Sequence, residues 1–196
     1  MLQEEIHSVV FATLDEHGLP QTCVIDLMLW DEGGLYFLTA RGKSFYDRLT
    51  ARPFAALTGM KGTDTFSTAA VSLRGAVRSI GTRRLEEIFA KNPYMARIYP
   101  TEQSRQALEV FQLYRGEGEY FDLPQQPPFR QSFSFGGEAI RQTGYRINGD
   151  KCIGCQGCRS VCPAGCISQA IPRVIDKSHC LHCGSCFRIC PVKAVE

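Results

Sequence analysis

The chain has 196 residues, of which 44% are hydrophobic and 21% charged, and its formal net charge at pH 7 is +2. This composition is typical of globular proteins with one ordinary or two small domains, and so small a charge does not favour a nucleic-acid or membrane partner. No apolar run approaches the ~20 residues of a membrane-spanning helix. The first residues lack the basic-then-apolar pattern of a secretion signal, so we expect a cytoplasmic protein.

Residues 1–123 contain many short segments rich in β-forming residues, separated by turn signals such as Asp31-Glu32-Gly33-Gly34. The predicted strands are 7–14, 21–30, 35–39, 54–58 and 69–78, followed by a hairpin of 110–114 and 119–122 around Gly116-Glu117-Gly118. The predicted helices are 43–50 and 83–91, with shorter helical pieces at 94–99 and 104–108. Antiparallel strands with helices inserted between them favour a mainly β fold, a small barrel.

A ligand-binding passage is predicted where the strand 35–39 leads into the helix 43–50. Hydroxyls, two cations and the free amides of a helix N-terminus lie together there, on Thr39, Arg41, Lys43 and Ser44. Such groups can hold a phosphate. A solvated polar turn explains the same residues, so both interpretations stay open at this point.

The order of these pieces resembles the pyridoxamine-phosphate-oxidase-like FMN-binding split barrels over about residues 3–122. The resemblance rests on four passages, which are 21–30, Tyr36-Phe37-Leu38-Thr39 with Lys43-Ser44, Arg52-Pro53-Phe54-Ala55-Ala56-Leu57 and Val71-Ser72-Leu73-Arg74-Gly75-Ala76-Val77. It implies FMN at a homodimer interface, with its phosphate on Thr39, Lys43 and Ser44 and with Arg41 as a further candidate. The stretch from Thr22 through Val24 to Asp26 would run along the isoalloxazine ring.

Two departures from the pyridoxamine-phosphate oxidases argue against oxidation of vitamin B6. Cys23 stands near a position where those enzymes have arginine, and Ala70 near one where they have glutamine. A reductase of another substrate remains. Asp26 is the nearest candidate for an acid–base catalyst, although a hydrogen-bonded barrel carboxylate is the simpler interpretation. Tyr94 and Tyr99 are expected to be core residues.

Residues 124–143 are predicted to be a linker, because Leu123-Pro124-Gln125-Gln126-Pro127-Pro128 cannot continue a sheet. The predicted organisation is therefore an FMN-binding split barrel at 1–123, a linker at 124–143 and a cysteine-rich domain at 144–196.

Nine of the ten cysteines lie between Cys152 and Cys190. The motif Cys-x2-Cys-x2-Cys-x3-Cys-Pro begins at Cys152 and is repeated from Cys180, 28 residues later. This spacing is the bacterial ferredoxin pattern, in which the fourth cysteine of each copy ligates the other cluster. It predicts two [4Fe–4S] clusters, with cluster I on Cys152, Cys155, Cys158 and Cys190, and cluster II on Cys180, Cys183, Cys186 and Cys162.

Structural zinc is the alternative, but a four-ligand zinc site has no use for a third cysteine or for two interlocked copies. The domain resembles the two-cluster bacterial ferredoxins, which have a small α+β fold. Cys166 is left over, and the repeat aligns it with Ala194, which favours a small buried position over ligation. His179 and His182 are expected near the surface or beside a ligand.

Clusters that transfer single electrons, joined to a flavin, favour an electron-transfer function. We expect an external redox donor or acceptor protein to exchange electrons with the clusters, the clusters with FMN, and FMN with a small organic substrate. Two alternatives stay open, an electron-relay subunit without its own substrate and a non-catalytic barrel that binds flavin or haem. For haem the candidate axial ligands are His7 and His17, which are also plain strand and turn residues.

Overall fold

The strands of the N-terminal part follow the alternation of apolar and polar residues in the sequence. In the computed structural model, which describes residues 1–140 and 144–196, they are β1 (Ser8–Leu14), β2 (Pro20–Asp26), β3 (Leu29–Asp31), β4 (Gly34–Ala40), β5 (Phe54–Lys61), β6 (Ala69–Gly81), β7 (Leu108–Asp122) and β8 (Phe129–Phe135). The helices there are α1 (Ser44–Ala51), α2 (Leu85–Lys91), α3 (Met95–Ile98) and α4 (Glu102–Arg105), with a π-helical turn at Leu2–Ile6 and a 3₁₀ turn at Thr65–Ser67.

These strands form one sheet in the order β2-β1-β5-β6-β7-β4-β3, with β8 added on β7. The pairs β1–β2, β1–β5, β3–β4 and β4–β7 are antiparallel. β2 also contacts β4, so the sheet curls until the two ends of the strand order approach each other. The prediction of a mainly β barrel with inserted helices is therefore confirmed.

Aromatic side chains fill the interior of this barrel. Phe11 on β1, Phe37 on β4 and Phe111 on β7 are almost completely buried. The ring centroids of Phe11 and Phe37 lie 4.7 Å apart, and those of Phe37 and Phe111 lie 5.8 Å apart. Phe45 of α1 joins the set at 5.8 Å from Phe11. This packing holds the start of α1 against the sheet and so positions the passage between β4 and α1.

The predicted hairpin around Gly116-Glu117-Gly118 is wrong, because Leu108–Asp122 form the single strand β7. The glycines permit close approach of neighbouring atoms rather than a turn. A Cβ on Gly116 would lie 2.1 Å from the carbonyl oxygen of Arg74, and one on Gly118 would lie 2.3 Å from Cδ2 of Leu73. β7 can therefore lie this close to β6 only with glycine at these positions.

The segment predicted to be a linker, 124–143, contains the strand β8, which pairs with β7. The alternation in Phe-Arg-Gln-Ser-Phe-Ser-Phe fits a strand, and the run of prolines ends at Pro128, just before β8 begins. Proline is tolerated at the edge of a strand, so it does not exclude one here. The last three residues of the predicted linker, 141–143, lie outside the described residues.

The chain divides into two units. The first consists of Met1–Lys61, Ala70–Glu119 and Phe133–Ala139, and the second of Gly62–Ala69, Tyr120–Ser132 and Ile140–Glu196. None of the described helices is both long enough and apolar enough to cross a membrane.

The cysteine motifs lie in the second unit, and each contains the start of a short helix, α5 (Gly157–Ser160) or α6 (Ser185–Ile189). Backbone bridges join Ile147 to Val195 and Ile167 to Ile175. Because the motif repeats after 28 residues, each bridge is the counterpart of the other. Each bridge therefore joins one residue of the first repeat to one residue of the second.

Candidate functional site

The end of β4 carries the first residue of the predicted phosphate passage. Thr39 is only 3% exposed, and its Oγ1 has no hydrogen-bond partner among the described residues. A buried hydroxyl without a partner is destabilising, by about 1–3 kcal/mol. A ligand atom that completes this hydrogen bond would therefore be stabilised at Thr39.

Arg41 is already paired, unlike Thr39. Its Nε donates to Oε2 of Glu109 at 2.8 Å, and its guanidinium also donates to the carbonyl oxygen of Gln106 at 3.0 Å. Burial acts to raise the pKa of Glu109, but hydrogen bonds from Ser79 and Arg41 outweigh it and hold that pKa below its usual value. Arg41 therefore ties the end of β4 to β7, and only part of its guanidinium remains available to a phosphate.

Lys43 and Ser44 lie at the N-terminus of α1, where Lys43 is the N-cap and no side chain caps the helix. Oγ of Ser44 accepts a hydrogen bond from the guanidinium of Arg48 at 3.1 Å. Within the described part of the chain, no hydrogen bond or ion pair engages the Lys43 ammonium. An uncapped helix start with a cation beside it attracts an anion.

The predicted ring-binding strand β2 exposes Thr22 and Val24 and partly buries Asp26. Burial raises the pKa of the Cys23 thiol on the same strand, and the nearby charges of Arg48 and Lys43 partly oppose this effect. The structure thus brings β2 close to the cationic start of α1. The FMN interpretation assigns both to the binding of one ligand.

Asp26 belongs to a hydrogen-bonded cluster that the sequence did not reveal. Its Oδ2 accepts from the Tyr94 hydroxyl at 2.7 Å, and its Oδ1 accepts from Oγ of Ser8 at 2.6 Å. Nε2 of His7 lies 2.9 Å from the Tyr94 hydroxyl and 3.6 Å from Oδ2 of Asp26. The expectation of a hydrogen-bonded barrel carboxylate describes Asp26 correctly, whereas Tyr94 has a polar role besides packing.

Two members of this cluster differ sharply in proton affinity. Burial acts to raise the pKa of Asp26, but the hydrogen bonds from Ser8 and Tyr94 outweigh it and hold that pKa below its usual value. Burial and the adjacent carboxylate raise the pKa of Tyr94 well above its ordinary range. At neutral pH the pair is therefore a carboxylate beside a neutral hydroxyl donor, an arrangement suited to holding a proton near a bound ligand.

The eight motif cysteines line two separate cavities in the second unit. Among the described residues, no three His, Cys, Asp or Glu side chains converge on a single metal ion. One cavity is lined by Cys152, Cys155, Cys158 and Cys190, and the other by Cys162, Cys180, Cys183 and Cys186. Each set combines three cysteines of one motif with the fourth of the other, as the spacing predicts. The four motif thiols at each cavity fit the donor set of a [4Fe–4S] cluster.

Cys166 also lines the second cavity. Its Sγ lies 3.4 Å from Sγ of Cys162, and its side chain is buried. Burial and the neighbouring thiols raise the pKa of Cys166, so it remains a neutral thiol beside a predicted ligand. This is the small buried position expected from the repeat. Nδ1 of His179 lies 2.9 Å from Oδ2 of Asp176, so this histidine contacts a carboxylate on the surface.

The first cavity contains a buried cation that no motif indicates. Arg173 is 4% exposed and lines the cavity beside the four cysteines. Its guanidinium donates to the carbonyl oxygens of Ser168, Gln169 and Gly154 at 3.2, 2.7 and 3.0 Å, while its Nε has no partner among the described residues. The 28-residue repeat aligns Arg173 with Tyr145, which lines the second cavity. Comparison of the two repeats is the signal that identifies Arg173.

Two family models match the chain. The model described as pyridoxamine 5'-phosphate oxidase matches residues 2–120, which is more than half of the chain. The model described as a 4Fe-4S dicluster domain matches residues 144–191. Comparison with curated proteins finds no significant match.

Solved structures similar to this chain share its fold at low sequence identity. A NimC/NimA family protein from Clostridium acetobutylicum is 19% identical, with a TM-score of 0.56 over 68% of this chain and 87% of that chain. PhzG from Burkholderia lata 383, in complex with tetrahydrophenazine-1-carboxylic acid, is 14% identical, with a TM-score of 0.55 over 71% and 82%. A heme binding protein from Mycobacterium smegmatis is 16% identical, with a TM-score of 0.54 over 68% and 55%. At such identities the likeness shows the fold alone, and it confirms the split barrel.

Proposed function

Because the chain belongs to the pyridoxamine 5'-phosphate oxidase family over residues 2–120 and carries a 4Fe–4S dicluster domain at residues 144–191, we propose that it is an iron–sulfur flavoprotein. It passes electrons between a redox partner protein, two [4Fe–4S] clusters and FMN, and so reduces a small organic substrate. When bound, FMN exchanges single electrons with the clusters and an electron pair with the substrate. The sorting of the eight motif cysteines, four to each of two cavities, is the observation that carries the proposal.

The phosphate of FMN would be held where β4 leads into α1. Thr39 offers a buried hydroxyl without a described partner, and Lys43 stands at a helix start that no side chain caps. Ser44 and Arg41 would add contacts from the same passage. The ring would lie along β2, beside Thr22, Val24 and Asp26.

We further propose that the protein is a homodimer. β2, β1 and β5 turn an apolar face away from the core, with Val24 65%, Val10 43% and Phe54 54% exposed. Val10 and Val24 are direct neighbours across the β1–β2 ladder. A contiguous exposed apolar face typically marks an interaction surface, and the family resemblance supplies a second copy of the chain as its occupant. A cytoplasmic location would keep the ten cysteines reduced for cluster assembly.

The proposal is tested by anaerobic purification followed by assay of iron, acid-labile sulfide, zinc and flavin. We expect iron and sulfide for two clusters and one FMN per chain, with flavin absorption over a broad cluster shoulder. A low-potential reductant should bleach both features, and an organic oxidant should restore them. Clusters without flavin would contradict the flavin half, and zinc in place of iron would contradict the cluster half.

The relay alternative predicts both cofactors, electron exchange with a partner protein and no turnover of small organic acceptors. The haem alternative has support only from the fold of the M. smegmatis protein. Nε2 of His7 is engaged by Tyr94 at 2.9 Å, and Nε2 of His17 lies 3.5 Å from Glu16 in an exposed turn. A Soret band that appears on addition of haem and is lost in His7→Ala would favour haem over FMN.

A further inference from the structure

The two cysteine cavities differ in buried charge. Arg173 lines the cavity of Cys152, Cys155, Cys158 and Cys190. At the equivalent position of the repeat, 28 residues earlier, a neutral aromatic residue, Tyr145, lines the other cavity. The two repeats otherwise have similar backbone structures, since the bridge between Ile147 and Val195 corresponds to that between Ile167 and Ile175. The exchange of tyrosine for arginine is therefore a local difference between two similar sites.

No carboxylate in the described part of the chain neutralises the charge of Arg173. Its guanidinium contacts three backbone carbonyl oxygens. Among the described residues, its Nε has no partner and no Asp or Glu forms an ion pair with it. An arginine remains protonated even when buried. At 4% exposure its field is weakly screened by solvent.

We propose that Arg173 raises the reduction potential of cluster I above that of cluster II, so that a single electron in the dicluster domain resides at cluster I. The inference rests on the proposed function, because it requires both clusters. A reduced cluster carries one more negative charge than the oxidised one, and a fixed cation beside it stabilises the reduced form. The exchange would move one electron from cluster II to cluster I. No bond would be made or broken, and no proton would be transferred.

The test is a redox titration of the anaerobic holoprotein followed by EPR, together with matched variants of Arg173. Arg173→Tyr places in the first cavity the residue that the repeat places in the second. We expect two midpoint potentials in the unmodified protein and a fall of the upper one in Arg173→Tyr, with the lower one unmoved. The equilibrium constant for electron exchange between the clusters should change at least tenfold, which is about 59 mV for a one-electron couple. Arg173→Lys keeps the charge and should retain most of the separation.

A reciprocal variant decides the question if the Arg173 variants lose their cluster. Tyr145→Arg adds a cation to the second cavity and should raise the lower midpoint. An unchanged upper midpoint in Arg173→Tyr, or a shift of the same midpoint by both variants, would overturn the inference while leaving the proposed function intact. A wild-type protein without two cluster signals would instead contradict the proposed function itself.

Discussion

The hydroxyl of Tyr94 donates a hydrogen bond to Oδ2 of Asp26 across 2.7 Å, although 68 residues separate the two in the chain. Tyr94 is the N-cap of α3, and Asp26 is the last residue of β2. The bond therefore fastens the helical segment that contains α3 to the strand along which the flavin ring is proposed to lie. It also places a proton-holding hydroxyl beside that strand.

Tyr94→Phe removes the donor to this carboxylate while it keeps the ring. We expect the pKa of Asp26 to rise and the free energy of unfolding at pH 7 to fall by about 1 kcal/mol, because a partly exposed hydrogen bond to a charge contributes less than a buried one. The folded-state pKa of Asp26 lies below its usual value, so this stabilisation is present above about pH 4 and is lost as the pH falls through the folded pKa. Urea unfolding followed by the fluorescence of Trp30, the one tryptophan, measures it.

Tyr99→Phe is the matched control. Like Tyr94, Tyr99 packs against the buried apolar cluster that contains Met28 and Ile88, and its hydroxyl has no hydrogen bond within the described residues. Tyr99→Phe should leave the free energy of unfolding nearly unchanged both at pH 7 and at pH 3. A loss in Tyr94→Phe that is equally large at pH 7 and at pH 3 would show that packing, rather than the bond to Asp26, is responsible.

Local signals predicted most of the strands, because period-two alternation is visible in short windows. The predictions were wrong where a residue is required by a contact with a part of the chain that is distant in sequence. The sequence pattern at Gly116 and Gly118 predicted a turn, but both residues lie within β7. Glycine is needed there because β6 lies too close to leave room for a side chain. The predicted strand 21–30 is divided into β2 and β3, with the buried residues Leu27 and Met28 between them.

The candidate sites show the same division between local and long-range information. The cysteine sets could be predicted, because cluster ligation constrains the spacing of ligands within a motif. The bond between Tyr94 and Asp26 could not, since it depends on how α3 folds back over the barrel. Arg173 is intermediate in how well the sequence predicts it, because only comparison of the two repeats pairs it with Tyr145.

Gly116→Ala tests the close approach of β7 to β6. The new Cβ would lie 2.1 Å from the carbonyl oxygen of Arg74, a backbone atom that cannot move aside without disturbing the sheet. We expect a loss of roughly 1–3 kcal/mol or failure of the barrel to fold. Gly42→Ala is the control, because a Cβ there meets nothing within 4 Å. Thermal unfolding followed by Trp30 fluorescence compares the two, and equal melting temperatures would restore the hairpin interpretation.

Thr39→Val tests the proposed phosphate site by separating stability from binding. Removal of a hydroxyl that none of the described residues engages should leave the FMN-free protein as stable as before or about 1 kcal/mol more stable. Binding of FMN, measured by fluorescence titration, should weaken roughly tenfold or more, which is the loss of about 1.5–3 kcal/mol from a hydrogen bond to a charged group.

Thr13→Val provides the contrast for this prediction. Thr13 is equally buried, but its Oγ1 already accepts from Nε of Arg48 at 2.8 Å, so its replacement should destabilise the FMN-free protein. If Thr39→Val destabilises the apoprotein in the same way and binds FMN normally, the hydroxyl serves the fold and not the phosphate.

Val24→Lys tests the proposed homodimer. The side chain is 65% exposed in the single chain, so a lysine can be accommodated there without damage to the core. We expect sedimentation to shift from dimer to monomer, because a dimer would bury the added charge. Ile98→Lys, at 60% exposure on α3, is the control and should stay dimeric. A dimer that survives Val24→Lys with unchanged affinity would move the interface elsewhere.

Cys190→Ala tests the crossing of ligands between the two motifs. Cys190 belongs to the second motif but lines the cavity of Cys152, Cys155 and Cys158. We expect the iron content to fall by about half and the surviving cluster to be cluster II, since its four thiols are untouched. Cys166→Ala is the control, because it removes a buried thiol that the motifs do not use, and it should retain both clusters. Which cluster remains in Cys190→Ala decides between the crossed and the uncrossed assignment of ligands. A remaining cluster whose midpoint still responds to Arg173→Tyr would be cluster I, and the crossed assignment would then be wrong.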